Sequence, residues 1–118
     1  MRVTAGEVHQ FNDEDGWFHL PGAGDGVMVK IVTNSLDPTT RQGARVQFLR
    51  LPPGATLPEA PLTTGDYWQE FMVLSGAVEI EGHAEPLHAP AVLTVAHGSR
   101  LASLRTNGGC VLAEVAHY

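Results

Sequence analysis

The sequence predicts an all-β fold in a single domain, and three observations carry that reading. Apolar residues fall into short β-branched or alternating stretches, never into a pattern with helical period. Thirteen Gly and eight Pro punctuate 118 residues, so turns are frequent and a helical bundle is excluded. No amphipathic stretch reaches three helical turns. About eight short strands with turns between them close as a sandwich or barrel, the usual way for a small all-β domain to hide its edges. Residues 1–118 are read as one domain, with 1–16 as an N-terminal arm or loop.

Taken in order, Asp13-Glu14-Asp15 is a charged, solvated loop before Gly16-Trp17. Val27–Val32 is β-branched and reads as a strand. Ala44–Leu51 alternates loosely and stops at Pro52-Pro53-Gly54, a strong turn signal. Trp68–Leu74 is the strongest strand, and Ser75-Gly76 separates it from Ala77–Glu81. There Val78 and Ile80 face one way and Glu79 and Glu81 the other. Gly82-His83 is the next turn. Ala91–Ala96, Arg100–Leu104 and Cys110–Ala116 complete the set, with Asn107-Gly108-Gly109 as a tight hairpin connection.

Charge narrows the partners. Thirteen Asp and Glu against seven Lys and Arg give a net charge of −6. Phosphate binding needs clustered cations, and none cluster here, so nucleic acid is excluded as a partner. The longest apolar run, Ala89–Ala96, is too short to span a bilayer, and the first residues contain no secretory h-region. Cys110 is the single cysteine, which excludes an internal disulfide. Set in an apolar strand, it reads as a buried inert thiol. A cytoplasmic protein with no membrane partner is the expectation.

Three stretches carry a resemblance: Leu51-Pro-Pro-Gly-Ala-Thr-Leu-Pro58, Gln69-Glu-Phe-Met-Val-Leu-Ser-Gly76 and Val92-Leu-Thr-Val-Ala-His-Gly-Ser99. Together they resemble the cupin superfamily. Gly16-Trp17, Gly26–Lys30 and Arg45–Leu51 look most like the cupin domains of the ChrR anti-sigma-factor type. The resemblance runs from about Trp17 to Glu114 and implies a cupin-type jelly-roll β-barrel. It further implies a metal held by a His-x-His pair, a Glu and a later His. Glu70 stands at the family's Glu. Counting forward from Pro58 places the His pair near Ala60 and Leu62, and counting back from Glu70 places it near Thr64 and Asp66. No histidine lies between His19 and His83. Leu101 occupies the third histidine's position, and His97 precedes the turn glycine. The resemblance therefore implies a degenerate site with no metal and no cofactor, since one carboxylate does not hold a transition metal.

The residues leave several roles open. In the cupin register Glu70 projects into an apolar interior beside Trp68 and Met72, where desolvation favours its protonated form. It is then a candidate acid/base group with His97, or else a structural carboxylate bound to Arg50, Arg45 or a strand partner. Trp68, Glu70, Met72, Leu101, Asp66 and Tyr67 are the candidate ligand-binding residues. His83 and His88 lie near Glu85 and read as ordinary loop and strand histidines, with an adventitious surface metal as the alternative. Phe71 and Val73 are expected on the outer side of their strand, as an apolar face for a homodimer. The favoured function is a metal-free small-molecule binding or sensing module. The alternatives are an acid/base enzyme of isomerase or lyase type using Glu70, and a metal-dependent dioxygenase.

Overall fold

The computed structural model describes residues 13–20, 26–57, 67–96 and 103–118. Asp66, His97 and Leu101 lie outside the described residues, as do His9 and the positions near 60–64 where a histidine pair was sought. Nine strands are present: β1 Trp17–His19, β2 Met28–Asn34, β3 Ala44–Leu51, β4 Thr56–Leu57, β5 Trp68–Ile80, β6 Leu87–His88, β7 Ala91–Val95, β8 Leu104–Arg105 and β9 Cys110–His117. No helix occurs among the described residues, so none there is long and apolar enough to cross a membrane. The all-β expectation holds.

The strands form one curled antiparallel sheet in the order β1-β2-β3-β9-β5-β8-β4, with β6 and β7 also paired to β5. Its concave face is built in layers by register. Val29, Leu49, Leu112 and Val73 lie side by side across β2, β3, β9 and β5. All four are at most 2% exposed. Leu51 pairs with Cys110 in the layer below, where the thiol is buried as expected. One step in the other direction, Ile31, Gln47, Glu114, Phe71 and Leu93 form the next row. Fully burying an apolar side chain of this size contributes about 1.5–3 kcal/mol, so the lower layers hold the sheet together.

Two sequence expectations are corrected here. The strands read as Trp68–Leu74 and Ala77–Glu81 are one continuous strand, β5. Ser75-Gly76 is not a turn; the register against β9 shifts between Val73 and Ser75, which is a β-bulge. Gly76 adopts φ 76° there, in the left-handed region. The second correction concerns Asn107-Gly108-Gly109. It joins β8 to β9, yet β8 pairs with β4 and β5 whereas β9 pairs with β3 and β5. The segment is a crossing between two parts of the sheet. Thr106, fully buried, anchors it: its hydroxyl donates to the Ala77 carbonyl at 2.8 Å and its amide to the Ala55 carbonyl at 3.0 Å.

The cupin register implied that Trp68, Glu70 and Met72 face inward, and the faces of β5 are the reverse. Period-two counting backward from inward-facing Val78 reaches Leu74, Met72, Glu70 and Trp68. One extra residue between Val73 and Ser75 moves the set by one position, so Val73, Phe71 and Gln69 face inward instead. Phe71 and Val73 are 1% and 2% exposed, hence core residues and not an outer dimer face. The convex side carries Trp68, Glu70 and Met72, with Trp68 43% exposed.

A Cβ added at Gly76 would meet the Gly109 carbonyl oxygen and the Cys110 backbone. Gly76→Ala is therefore expected to destabilise by about 2–4 kcal/mol, from the left-handed φ and the close approach together. Urea unfolding followed by tryptophan fluorescence reads this; a change below 0.5 kcal/mol would contradict the bulge geometry.

Candidate functional site

Glu114 sits in the middle of β9 between Ala113 and Val115, and its side chain is wholly without solvent exposure. A buried carboxylate needs its lone pairs filled by donors and its charge balanced. Three neighbouring side chains supply this. Arg45 Nε and Gln47 Nε2 each donate to Oε1 at 2.9 Å, and Gln69 Nε2 donates to Oε2 at 2.9 Å. Gln47 lies directly opposite Glu114 on β3, while Arg45 and Gln69 flank Ala116 from either side. The small Ala116 side chain leaves room for the two longer ones to reach one row down. Gln47 and Gln69 are buried at 7% and 3% exposure, whereas the Arg45 side chain is 20% exposed.

The electrostatics follow from that packing. Burial alone would lower the Arg45 guanidinium. The hydrogen bond and charge of Glu114, with a smaller hydrogen-bonding and charge contribution from Tyr67, instead hold it above its ordinary value. Arg45 also lies over the Tyr67 ring, 5.7 Å from its centroid. Tyr67 meets Tyr118 edge to face at 6.0 Å, and Arg41 lies over the Tyr118 ring at 5.7 Å. A chain of cationic and aromatic groups thus leads from the exposed Arg41 to the buried Glu114.

Of the sequence candidates within the described residues, Tyr67 alone joins this centre. Glu70 points to the convex face, half-buried, with His117 Nε2 3.3 Å from its Oε1. Of the structural partners expected for it, neither Arg50 nor Arg45 is there, and a residue of the paired strand β9 is. Arg50 lies over the Trp17 ring at 4.5 Å and beside Glu14, and Arg45 serves Glu114. Trp68 and Met72 share the convex side with Glu70, and Val92, opposite Met72 on β7, is 60% exposed.

Arg45, Gln47, Gln69 and Glu114 were not singled out from sequence as a ligand set. The signal was present: Gln47 and Glu114 each sit on the face of an alternating strand whose next inward neighbours are the apolar Leu49 and Leu112. Pairing them required the β3–β9 register.

Glu114 supplies one carboxylate, Gln47 and Gln69 turn amide nitrogens toward it, and a guanidinium already occupies the cation's place at 2.9 Å. No group of three His, Cys, Asp or Glu side chains suited to an ion occurs among the described residues. This centre does not fit a divalent metal. His83 and His88 line two separate open grooves, of about 460 and 440 Å³, on the β5–β6–β8 side of the sheet. Polar groups there are tied locally: His83 Nδ1 is 2.9 Å from the Glu85 carbonyl oxygen, and Asn107 donates to Glu79 at 3.0 Å. Both grooves are open, and Glu79, Glu81 and Glu85 line the first of them.

No protein-family model matches the chain, and no curated protein matches it in sequence. Solved structures do. An acetylacetone dioxygenase from Acinetobacter johnsonii superposes with TM-score 0.70 at 12% identity, over 99% of this chain and 77% of that one. A Cupin 2 conserved barrel domain protein from Salinispora arenicola gives 0.66 at 16% identity, over 98% and 91%. A chain of the Rhodobacter sphaeroides complex of SigE with the anti-sigma ChrR gives 0.65 at 18% identity, over 92% of this chain and 51% of that one. A curled antiparallel sheet with no described helix, matched end to end by such barrels, is the cupin fold, and this chain has it.

Proposed function

We propose that this chain is a cupin-fold binding or sensing module that holds a small molecule on its concave face without a metal. One observation carries the reading: a fully buried carboxylate with three converging side-chain donors, set in an otherwise apolar concave surface. Ligand sites have this composition, mostly apolar walls with a few placed polar groups. Gln47 and Gln69 each give one N–H to Glu114, which leaves each amide a second N–H and a carbonyl oxygen. Leu93 and Ile31 continue the same row to either side, Ile31 being 43% exposed. The guanidinium in the cation's place is what separates this reading from a metal-dependent dioxygenase. The fold alone does not choose, because its neighbours include a dioxygenase and an anti-sigma complex by their descriptions.

The acid/base alternative rests on Glu70 and its partner His117. The two are diagonal neighbours on the convex face, with side chains 34% and 42% exposed. Water reaches both side chains, which gives a substrate no enclosed site there. The hydrogen bond to Glu70 first, then that to the Tyr118 carbonyl, holds the His117 imidazole above its ordinary 6.5, against a slight lowering by burial. We give the concave face precedence on this ground.

Binding is tested by titrating neutral and charged polar fragments against the full chain and following backbone amide NMR shifts. Compounds that perturb Gln47, Gln69 and Glu114 together are expected, and Gln47→Leu, which keeps volume but loses the amide, should weaken them about tenfold. Shifts confined to the β5–β6–β8 grooves would overturn the reading. Independently of any ligand, Glu114→Ala strands the Arg45 charge and two amides and is expected to cost about 3–5 kcal/mol in urea unfolding. Glu114→Gln preserves shape but sets an amide donor against a donor, at a cost of about 2 kcal/mol.

The Glu70–His117 pair has its own pH signature. Because the folded imidazole is raised, its stabilisation is complete below pH 6.5 and disappears as pH rises through the folded value. Wild type should exceed Glu70→Gln in stability on the acidic side only. The difference should be no more than about 0.5 kcal/mol, given the exposure of the pair. Equal urea midpoints for the two proteins at mildly acidic pH would remove the pair from the account.

A further inference from the structure

The two glutamines take their orientation from the acid they share. Gln47 turns its amide nitrogen to Oε1 of Glu114 and Gln69 turns its own to Oε2, each at 2.9 Å. The reverse arrangement would set a carbonyl oxygen against a carboxylate, acceptor against acceptor. Each carbonyl oxygen is therefore turned off Glu114, and neither accepts a hydrogen bond from a described residue. Both residues are more than nine-tenths buried, at 7% and 3% exposure. No side-chain nitrogen or oxygen that is closed off from solvent lacks a partner among the described residues. The small accessible surface of these two side chains thus includes their carbonyl oxygens.

Two nearly buried acceptors without donors, on the strands either side of β9, are placed to recognise a ligand's hydrogens. Their flanks are apolar. Phe71 and Leu93 continue the row of Gln47 and Glu114, and Val95 lies opposite Gln69 on β7. Both oxygens of Glu114 are already taken, so what the patch offers is two carbonyl acceptors and the second N–H of each amide. A ligand group that satisfies such a pair carries N–H beside C=O. A carboxylate has no hydrogen to donate and an ammonium has no acceptor, so each leaves half of the patch unmatched.

We infer that the concave face takes a neutral carboxamide, whose N–H hydrogens go to the carbonyl oxygens of Gln47 and Gln69. Its own oxygen accepts from an amide N–H of the same pair, and its apolar part lies against Phe71, Leu93 and Val95. This rests on the concave face being the binding site, and it names the chemical class that site takes. Glu114 is then a positioning residue: it touches no ligand and locks both amides with their oxygens outward.

The probes are benzamide, acetophenone and benzoate, which share shape, titrated against the full chain and followed by backbone and side-chain amide NMR. Acetophenone lacks the N–H hydrogens and benzoate replaces them with a charged acceptor. Benzamide is expected to shift the side-chain amides of Gln47 and Gln69 and to bind at least tenfold more tightly than either of the others. Gln69→Leu should weaken benzamide roughly tenfold. Glu114→Gln frees the two amides to turn, so the preference for benzamide over benzoate should fall at least threefold, whereas a merely destabilised site would weaken both alike. An unchanged ratio removes Glu114 from the positioning role. Should either variant unfold, the three probes in wild type still decide. Acetophenone or benzoate binding as tightly as benzamide overturns the carboxamide assignment, and so does benzyl alcohol, a hydroxyl donor, if it matches benzamide. If no probe binds while another fragment perturbs Gln47, Gln69 and Glu114, the assignment falls and the concave site stands. If nothing binds there, both fall.

Discussion

A carboxylate with no access to water, lodged between Phe71 and Gln47 on a sheet lined with leucine and valine, governs the organisation of this molecule. Such a group is costly to bury unless its charge is balanced and its oxygens accept hydrogen bonds. Glu114 obtains both from two adjacent strands, Arg45 and Gln47 on β3 and Gln69 on β5. The consequence reaches beyond the site. A slip of β3 or β5 by one residue against β9 would carry these donors to the convex face and leave the carboxylate unmatched. The apolar layers beneath favour the same alignment through Leu49, Leu112 and Val73. Polar and apolar demands thus select one register.

The bulge at the middle of β5 is what allows a single strand to serve two regions of the curled sheet. Before it, β5 lies between β9 and β7; beyond it, the strand pairs with β6 and β8. Gly76, with its left-handed backbone against the Gly109 carbonyl, lets the change of direction occur at close quarters. The bulge also decides which side chain of the Gln69-Glu70 pair looks inward. An uncharged amide therefore meets Glu114, where a carboxylate at that point would have repelled it. The acid next in sequence stays in contact with water and His117.

Cupin-fold barrels differ widely in what they do, so the architecture carries no activity by itself. What distinguishes this chain is the chemistry on its concave face. Arg45 puts a guanidinium where a bound cation would otherwise neutralise the acid, and the tyrosines beside it, Tyr67 and Tyr118, extend the polar centre to the rim. A guanidinium is permanently charged and directional, so it fixes the geometry of that centre as well as its charge.

The chain's local chemistry determined a good deal unaided. Glycine and proline placement, β-branched runs and the alternation of Val78 and Ile80 with Glu79 and Glu81 dictated an all-β domain. The Pro53-Gly54-Ala55 and Glu70–Gly76 segments pointed to the cupin barrel. These features depend on a residue and its near neighbours, and near neighbours are what a sequence displays. Tertiary structure alone decided which face of β5 is inside, because a one-residue bulge is invisible to period-two counting yet reverses every side chain before it. It alone decided that Asn107-Gly108-Gly109 crosses between strands with different partners, since turn propensity says nothing of what the flanking strands pair with. And it alone assembled Arg45, Gln47, Gln69 and Glu114, residues up to 69 positions apart, because a buried charge finds its partners across strands and not along the chain.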